Sequence, residues 1–311
     1  MTNQGNLLIS IVIPVFRDGG RARTVAEAML AQILPDGIRC EVIVVDDGSD
    51  DDTAMRLSTC TDPRVRILHL PCNQGRSAAR NAGAAHSNGE FLVFIDCDCM
   101  PTNTGFLAAH LQLLQDTCIA TCGPVTGEGH GFWSRYQSEA SHRRAHQHAQ
   151  GLGFVGSTQN FAVRNEAFRQ VNGFDTRYKE YGFEDRDLFV RLSRVGTFGW
   201  CAGALVTHLD TLTLPVVLDK MRQAAGNSAV LFSHEHPEAY RALGFASIDA
   251  RIHPWLRFLA LTLAPFLYVA PCLDMALSRR WLPFIAGKTA VKLLAALAFA
   301  RGSMEKPVHL Q

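Results

Sequence analysis

The sequence lacks the features of a secreted, repetitive or disordered protein. Its first residues, MTNQGNLLISIVIPVF, contain no basic segment and no small-residue cleavage site, which argues against a signal peptide. No internal repeat is present, and a composition of 47% hydrophobic and 19% charged residues is typical of a globular chain. A net charge of only +1 gives no basic excess for binding nucleic acid, so we expect no nucleic-acid partner.

Cysteine is present without the pattern of a disulfide framework. The chain has nine cysteines, an odd number, and several fall in apparent core strands. In a chain of 311 residues this distribution indicates reduced thiols that pack as small hydrophobic side chains. Because reduced thiols are typical of the cytosol, we expect a cytoplasmic protein.

The sequence also lacks an unbroken apolar run long enough for a clear membrane span. Residues 258–273 are uncharged, but Pro265 and Pro271 interrupt them, and at ~1.5 Å per residue they reach about 24 Å against the ~30 Å of a hydrocarbon core. Residues 281–300 carry Lys288 and Lys292 one helical turn apart, which favours an amphipathic helix lying at a membrane interface.

Charge is unevenly distributed along the chain. From Arg251 to the C-terminus there are eight Lys/Arg residues and two acids, whereas the rest has 22 basic and 27 acidic residues. A basic, apolar tail predicts contact with an anionic membrane at its cytoplasmic face. Two alternatives stay open: a hairpin of two short membrane segments joined at residues 278–280, and a helical cap or dimer interface.

What the chain does contain is a regular alternation of strand and helix signals. Short β-branched runs are separated by helical stretches from residue 8 to residue 125. The predicted strands are 8–16, 41–47, 65–70, 90–96 and 118–125, and the predicted helices are 21–34, 52–59, 76–87 and 104–116. This alternation predicts an α/β fold with a mostly parallel sheet and helices on both faces.

Carboxylates follow two of these strands, where ligands bind in such sheets. Asp46 and Asp47 end the second strand, and the stretch EFLVFIDCDCMP ends with Asp96 and Asp98. A zinc site built on Cys97 and Cys99 would need a second close cysteine pair, which is missing. Asp96 and Asp98 share one face of an extended segment, which favours oxygen ligation of Mg²⁺ or Mn²⁺.

Residues 126–153 break the alternation with a polar, histidine-rich stretch. We interpret it as a surface excursion with a helical middle. Its histidines could bind a metal, but a solvated helix face is the simpler interpretation. The histidines concerned are 130, 142, 146 and 148. Further helices are predicted at 165–171 and 184–196, followed by a strand at 198–210.

Five segments, in order and spacing, resemble the family-2 inverting glycosyltransferases with the GT-A fold. They are SIVIPVF, EVIVVDDGSDDDT, NQGRSAARNAG, FIDCD and GFDTRYKEYGFEDRDLFVRLSRVG. The resemblance covers residues 8–215. It implies a GT-A, Rossmann-like domain over 1–215, with a nucleotide-sugar half at 1–125 and an acceptor half at 126–215. A helical connector (216–250) and the apolar basic tail (251–311) would follow.

The resemblance implies roles for the residues at the strand ends. Pro14, Val15 and Phe16 would line the nucleotide base, and Asp46 and Asp47 would accept hydrogen bonds from base and ribose. Uracil suits these carboxylates because its N3–H is a donor, although a helix-capping turn is the alternative. Arg80 would lie near the nucleotide, with an ordinary surface arginine as the alternative.

The metal and the base are also implied by the resemblance. Asp96 would hold the ribose and approach the metal, Asp98 would bind the divalent ion that bridges the diphosphate, and His208 would be a further ligand or a structural histidine. Asp185 would deprotonate the acceptor hydroxyl, while Glu184 would contact the acceptor or orient the site.

The segment STQNFAVRNEAF resembles the acceptor side of the family, which implies that Gly156, Gln159 and Asn160 line the acceptor. The sequence departs from the family at Phe16-Arg17, where a polar pair is usual, and it lacks the Gln-x-x-Arg-Trp element of processive polymerases.

We therefore expect a metal-dependent inverting glycosyltransferase that adds a single sugar from a nucleoside-diphosphate donor, with UDP as the expected nucleotide. The acceptor would be a glycan or lipid-linked molecule of the cell envelope. The alternatives are a non-catalytic nucleotide-sugar or glycan binder and a nucleotidyltransferase of the sugar-nucleotide pyrophosphorylase type.

Overall fold

The β-branched runs of the N-terminal half form the centre of a seven-stranded sheet. In the computed structural model, which describes residues 7–305, strands β1 (Leu7–Val15), β2 (Ile38–Asp46) and β4 (Phe91–Ile95) are almost entirely buried. Helices cover both faces of such strands, so continuous apolar runs replace the alternation of a half-exposed strand. The predicted α/β class with a mostly parallel sheet is confirmed.

The remaining elements of the N-terminal part include both predicted and unpredicted strands and helices. The other strands are β3 (Val65–His69), β5 (Cys99–Pro101), β6 (Ala120–Cys122), β7 (Val125–Gly127), β8 (Asn160–Arg164), β9 (Phe198–Trp200) and β10 (Val206–His208). The helices are α1 (Gly19–Leu30), α2 (Thr53–Ser58), α3 (Arg76–Ala85), α4 (Phe106–Asp116), α5 (Phe132–Ala149), α6 (Asn165–Gln170) and α7 (Glu184–Ser193).

The main sheet has the order β3-β2-β1-β4-β8-β6-β9. Strands β3, β2, β1 and β4 run parallel, whereas β8 is antiparallel to both β4 and β6. The sequence did not predict β8. Strand β8 lies between β4 and β6 and pairs with both, so it connects the parallel strands β3, β2, β1 and β4 to β6 and β9.

Two predicted strands are each broken into two. Within 118–125, Gly123 and Pro124 separate β6 from β7, and within 198–210 a loop separates β9 from β10. Proline cannot donate to a strand ladder, so the first break is expected physically. The detached pieces β7 and β10 join β5 in a three-stranded sheet of order β5-β10-β7.

Alternating side chains of the central strands fill two apolar layers. Ile11 and Ile13 of β1 belong to the layer that includes α1 and α4, while Val12 belongs to the layer with Phe94 and Leu188. This division follows from the period of two along a strand. Both layers are fully buried, which fixes the strand register and with it the positions of the strand ends.

Two compact units divide the chain by their internal packing. Among the described residues, the first comprises 7–128, 137–176 and 188–210, and the second comprises 129–136, 177–187 and 211–305. The segment 177–187, which includes Glu184 and Asp185, therefore groups with the C-terminal helices. The prediction had placed this segment in the acceptor half, which was expected to extend to residue 215. The functional roles of the two halves stay a prediction.

The second unit is helical. Its helices are α8 (Leu214–Ala224), α9 (Asn227–Glu235), α10 (Pro237–Ala242), α11 (Trp255–Thr262), α12 (Ala270–Ser278) and α13 (Phe284–Gly302), with short 3-10 segments at Phe245–Ile248 and Ala264–Val269.

One face of helix α13 packs in the core of this unit, and the interfacial position predicted for residues 281–300 stays a prediction. Val291 and Phe299 are fully buried. A Cβ atom at Gly302 would lie 2.2 Å from the carbonyl oxygen of Arg222, so α13 and α8 approach at backbone distance. Close helix packing of this kind needs small residues, which the sequence supplies along α13.

Candidate active site

The carboxyl ends of β1, β2 and β4 meet at one edge of the sheet. Val15 lies level with Asp46 in the register of β1 and β2, and Val12 lies level with Phe94 in that of β1 and β4. Two residues beyond the second pair are Pro14 and Asp96. Parallel pairing therefore brings the predicted nucleotide-side residues 14–16, 46–47 and 96–98 to the same edge.

Asp46 and Asp47 hold the loops at this edge through backbone hydrogen bonds. The Asp46 carboxylate accepts from the Ser49 backbone N–H at 3.0 Å and contacts His69 Nδ1 at 3.0 Å. Asp47 accepts from two backbone N–H groups of the loop before α3, at 2.8 and 2.9 Å. Burial raises the pKa of Asp47 above its ordinary value. Contact with a nucleotide stays a prediction for both.

Phe16 and Arg17 occupy the positions where the family usually has a polar pair. Phe16 is 40% exposed and lies 4.9 Å from the Arg17 guanidinium. Arg17 has a φ of +58° and donates twice to the Asp50 carboxylate, at 2.6 and 2.7 Å. These contacts fasten the end of β1 to the loop after β2, and Phe16 stays available to stack on a ligand.

Arg80 is a buried cation at the same edge. Its side chain is 1% exposed, and its Nη2 donates to Asp96 Oδ1 at 2.7 Å. The guanidinium also lies 5.3 Å from the centre of the Phe174 ring. Within residues 7–305, Nε and Nη1 of Arg80 have no hydrogen-bond partner. A surface arginine is excluded, and buried donors of this kind call for a ligand or water.

Asp98 and His208 form a close pair beside this edge. Strand β10 pairs with β5 so that His208 faces Cys99, and the Leu209 N–H donates to the Asp98 carbonyl at 2.7 Å. The two side chains consequently approach to 3.2 Å between His208 Nε2 and Asp98 Oδ2. The carboxylate of Asp210 completes a group whose ligand atoms all lie within 4.8 Å of one another.

The pair shifts the pKa of both partners. Burial alone would raise the pKa of Asp98, but the hydrogen bond and the charge of His208 lower it below the ordinary value. Burial alone would lower the pKa of His208, but the bond to Asp98 and the charges of Asp98 and Asp210 raise it. Two carboxylates and one imidazole are a donor set that suits a divalent ion such as Mn²⁺.

The thiol alternative for this segment is not supported by the geometry. Burial raises the pKa of both Cys97 and Cys99, which keeps them protonated and poor metal ligands. No cysteine joins the metal-type group found among residues 7–305, and no disulfide joins any of the nine cysteines. The histidines of α5 are also outside that group; His148 contacts the Val155 carbonyl oxygen instead.

Glu184 and Asp185 begin helix α7 within the second unit. Phe183, with a φ of +70°, precedes them and packs on the rings of Phe232 and Phe245 at 5.0 and 4.8 Å. Acidic residues in the first turn are favoured by the helix dipole. Asp185 accepts from the Arg186 N–H at 2.8 Å and lies 3.3 Å from the Arg186 guanidinium.

A buried pair fixes the same turn of α7. Asp187 and His236 are 3% and 5% exposed and approach to 2.8 Å. Together with the aromatic packing of Phe183, this pair holds the start of α7 against α9 and α10. Asp185 belongs to the second unit and Asp98 to the first, and the role of Asp185 as the base stays a prediction.

The comparisons with known proteins decide the family. The model of glycosyl transferase family 2 matches residues 10–172, just over half of the chain. The chain belongs to glycosyl transferase family 2. The predicted family is confirmed, and this membership argues against the pyrophosphorylase alternative.

Individual relatives support the same class. Glycosyltransferase AglE of Haloferax volcanii is 38% identical over 96 residues, which cover 30% of this chain and 31% of AglE. The pre-mycofactocin glycosyltransferase of Mycobacterium tuberculosis is 29% identical over 240 residues, 74% of this chain and 48% of that protein. The chain thus spans less than half the length of these relatives.

Solved structures share the fold of this glycosyltransferase. A mannosyltransferase of Pyrobaculum calidifontis, in complex with GDP-Man and Mn²⁺, superposes with a TM-score of 0.63 at 18% identity, over 96% of this chain and 88% of that one. TarS of S. aureus, residues 1–349 in complex with UDP, superposes with a TM-score of 0.56 at 15% identity, over 96% and 90%. The predicted GT-A fold is confirmed.

The predicted acceptor-side residues of the glycosyltransferase lie around β8. Asn160 is fully buried, and its amide donates to the carbonyl oxygens of Pro124 and Ala204 at 3.0 and 2.6 Å. Gly156 packs so closely on Cys122 that a Cβ would lie 2.4 Å from its sulfur. These contacts give Asn160 and Gly156 packing roles, and acceptor contact stays a prediction for both and for Gln159.

The sequence reasoning missed one member of the metal-type group. Asp210 follows His208 by two residues, so in an extended segment both side chains lie on the same face. That spacing is the signal that could have identified it. Asp96, which was predicted as a ligand, is outside the group and bonds to Arg80 instead. Its approach to the metal stays a prediction.

Proposed function

We propose that this glycosyltransferase transfers one sugar from a UDP-linked donor to a hydroxyl of a glycan or lipid-linked acceptor, with inversion and with a bound divalent ion. One observation carries the proposal above all. Asp98, His208 and Asp210 bring their ligand atoms within 4.8 Å of one another, close to the strand ends where Arg80 and Asp96 lie. Oxygen and imidazole ligands favour Mn²⁺ over Mg²⁺.

The residues of this group fit a divalent ion. When bound, such an ion supplies charge that offsets the negative charge developing on the leaving diphosphate. Asp98 would hold it from the turn before β5 and His208 from β10, and the pairing of these two strands positions both side chains. Asp210 forms an ion pair with Arg21 at 2.5 Å. On metal binding, its carboxylate would either leave Arg21 or bind Arg21 and the ion together.

The chain's own donors and acceptors bind the nucleotide in this proposal. The free Nε and Nη1 groups of Arg80 point to an acceptor-rich ligand, because a buried guanidinium is costly while its donors are unsatisfied. Phe16, with its exposed ring, stacks on the base. A carboxylate of the Asp46-Asp47 pair accepts the N3–H of uracil, which favours UDP.

Asp185 acts as the base in the proposed transfer. Its carboxylate accepts the proton of the acceptor hydroxyl while the oxygen attacks the anomeric carbon opposite the leaving group. A single displacement of this kind inverts the configuration and needs no enzyme nucleophile. Glu184, adjacent in the first turn of α7, orients the acceptor.

The donor and the metal can be tested together without knowing the acceptor. A panel of UDP-, GDP- and dTDP-sugars is screened for thermal stabilisation with and without Mn²⁺. We expect UDP-sugars to raise the melting temperature only with Mn²⁺, and Asp98→Ala to abolish that shift. Asp52→Ala, which removes an exposed carboxylate paired with Arg56, is the matched control and should keep it.

Two outcomes would contradict this proposal. A donor shift in Asp98→Ala equal to that of the wild type, with and without Mn²⁺, would remove the metal assignment. A shift with GDP-sugars alone would replace UDP as the nucleotide while leaving the metal assignment intact.

A further inference from the structure

The C-terminal unit exposes an unusual number of large apolar side chains. Of the twenty large hydrophobic residues that are exposed among residues 7–305, fourteen lie between Ile252 and Leu293. Trp255, Phe258 and Tyr268 are 60%, 70% and 83% exposed. Soluble proteins rarely present so large a group of exposed apolar residues unless it contacts a partner or a membrane.

The distribution of side chains in this region is the reverse of that in a soluble helix. Through α11, the 3-10 segment 264–269 and the start of α12, the buried positions are Ala260, Ala264 and Ala270. Large side chains of the same stretch, among them Trp255, Phe258, Leu261, Phe266 and Tyr268, are exposed. Because water would favour the opposite arrangement, the outer face is suited to an apolar medium.

This stretch forms a bent pair of helical segments. Among the described residues no single helix has the length and apolar character needed to cross a bilayer, although Trp255–Thr262 and Ala264–Ser278 meet that test jointly with a bend of 48°. Pro265 lies in the first turn of the 3-10 segment, and Pro271 lies in the first turn of α12. Proline is tolerated in a first turn because its missing N–H would have no partner there.

The charges around the bent pair have one sign. Arg257, Arg279, Arg280 and Lys292 are exposed. The only acidic residue between 251 and 304 is Asp274, and its carboxylate is turned inward, where it accepts from Trp133 Nε1 at 3.0 Å and from the Leu214 N–H at 2.8 Å. Residues 251–304 therefore present cations and apolar groups without an exposed acid of their own, which complements anionic lipid headgroups.

Further exposed apolar side chains lie between α12 and the start of α13. Trp281 is 65% exposed and lies 5.3 Å from the Arg279 guanidinium, and Ile285 at the start of α13 is 76% exposed. Tryptophan and tyrosine prefer the headgroup region, where an apolar ring and a polar group are both accommodated. We propose that the surface formed by residues 252–285 docks on an anionic lipid bilayer and inserts the bent pair into one leaflet.

Packing within the second unit connects this surface to the start of α7. The ring of Phe183 contacts Phe245 at 4.8 Å, and Phe245 contacts Phe299 of α13 at 5.3 Å. Helix α13 in turn packs on α11. Docking through residues 252–285 thereby brings to the bilayer the same unit that carries Glu184 and Asp185. The docking proposal does not depend on the proposed function.

Vesicle flotation of the full chain tests the proposal. Vesicles of phosphatidylcholine alone are compared with vesicles of phosphatidylcholine and phosphatidylglycerol in equal parts. We expect binding to the mixed vesicles, weaker binding to the neutral ones, and loss of binding by roughly tenfold or more in Phe258→Glu/Tyr268→Glu. Both positions are exposed, so the variant should fold.

The matched control places the same charges on exposed apolar residues of the first unit. Ile33 and Met55 are 68% and 64% exposed, and Ile33→Glu/Met55→Glu should bind vesicles as the wild type does. Donor-dependent thermal stabilisation, measured on all three proteins, should be unchanged. If none of the three proteins were stabilised by the donor, the proposed function would be contradicted, whereas the docking result would be unaffected.

Three results would overturn the docking proposal. The first is a wild-type protein that stays unbound with anionic vesicles. The second is an equal loss of binding in both double variants. The third is a wild-type dimer that Phe258→Glu/Tyr268→Glu converts to a monomer without changing vesicle binding, since the surface would then serve a second copy of the chain.

Discussion

At the scale of single residues, the candidate site is held by carboxylates that each have a defined partner. Asp98 faces His208 at 3.2 Å, and Asp96 accepts from Arg80 at 2.7 Å. These partners fix the carboxylates before any ligand binds, which reduces the ordering that binding must impose. The unsatisfied donors of Arg80 are the exception, and they mark where a ligand is expected.

The role of Asp185 as a base gives a prediction at this scale. Asp185→Asn keeps the shape of the side chain but removes its ability to accept a proton. We expect turnover to fall by roughly 10²–10⁴-fold. Donor stabilisation with Mn²⁺ should be unchanged, because the predicted donor residues lie in the first unit. Steady-state kinetics and thermal shift measure the two quantities.

Asp219→Asn is the matched control for this prediction. Asp219 is an exposed acid of the same unit that pairs with Arg222. The variant should have wild-type turnover. If Asp185→Asn also turned over at a near-normal rate, another group would have to be the base.

At the scale of elements, the loop after β2 depends on one glycine. Gly48 has a φ of +70°, and a Cβ there would lie 2.3 Å from the backbone carbonyl carbon of Cys72. The close approach lets Asp47 reach the N–H groups of Gln74 and Gly75. The element that carries Asp46 and Asp47 is thus fastened to the loop before α3 at backbone distance.

Gly48→Ala should destabilise the protein for two separable reasons. The positive φ alone costs about 1–2 kcal/mol for an alanine. The clash with the Cys72 backbone adds about 1–3 kcal/mol. Chemical denaturation measures the free energy of unfolding.

Gly37→Ala separates the two contributions. Gly37 also has a positive φ, +78°, but a Cβ there meets nothing within 4 Å. Gly37→Ala should therefore lower the free energy of unfolding only by the cost of the positive φ. Equal destabilisation by the two variants would mean that the loop moves away from the added methyl group.

At the scale of the whole molecule, our proposals give the two units different functional roles. The first holds the strand-end carboxylates and the metal-type group, and the second carries Asp185 and the exposed apolar surface. Deleting residues 251–311 would remove Val291 and Phe299 from the core of the second unit. Point variants on the surface therefore test docking more cleanly than truncation does.

Stability should depend on pH through one buried histidine. His110 is fully buried between Thr121 and Asn160, and burial lowers its pKa to about 4. The unfolded chain takes up a proton below about pH 6.5, whereas the folded chain does so only near pH 4. The stability from neutral His110 is present above pH ~6.5 and is lost as the pH falls towards 4.

Urea unfolding at pH 7 and pH 5 tests this expectation. Between these values the wild type should lose about 2 kcal/mol more stability than His110→Gln, which cannot take up the proton. Comparing each protein with itself removes the constant cost of the substitution. The same loss in both proteins would show that His110 does not bind its proton differently on folding.

The sequence alone determined much of the fold and the family. The β-branched runs of β1, β2 and β4 were predictable because strands covered on both faces need continuous apolar residues. Carboxylates directly after such runs predicted a site at the strand ends, since parallel strands share one edge. These features are local or follow from a repeated local pattern.

Tertiary structure decided what depends on distant pairing and on burial. Strand β8 owes its place to β4 and β6, and Asp210 joins Asp98 only because β10 pairs with β5. Burial also divided two apolar stretches: α13 buries Val291 and Phe299, whereas the bent pair exposes most of its large side chains. Both stretches are rich in apolar residues, and packing against the other helices decides how much of each is buried.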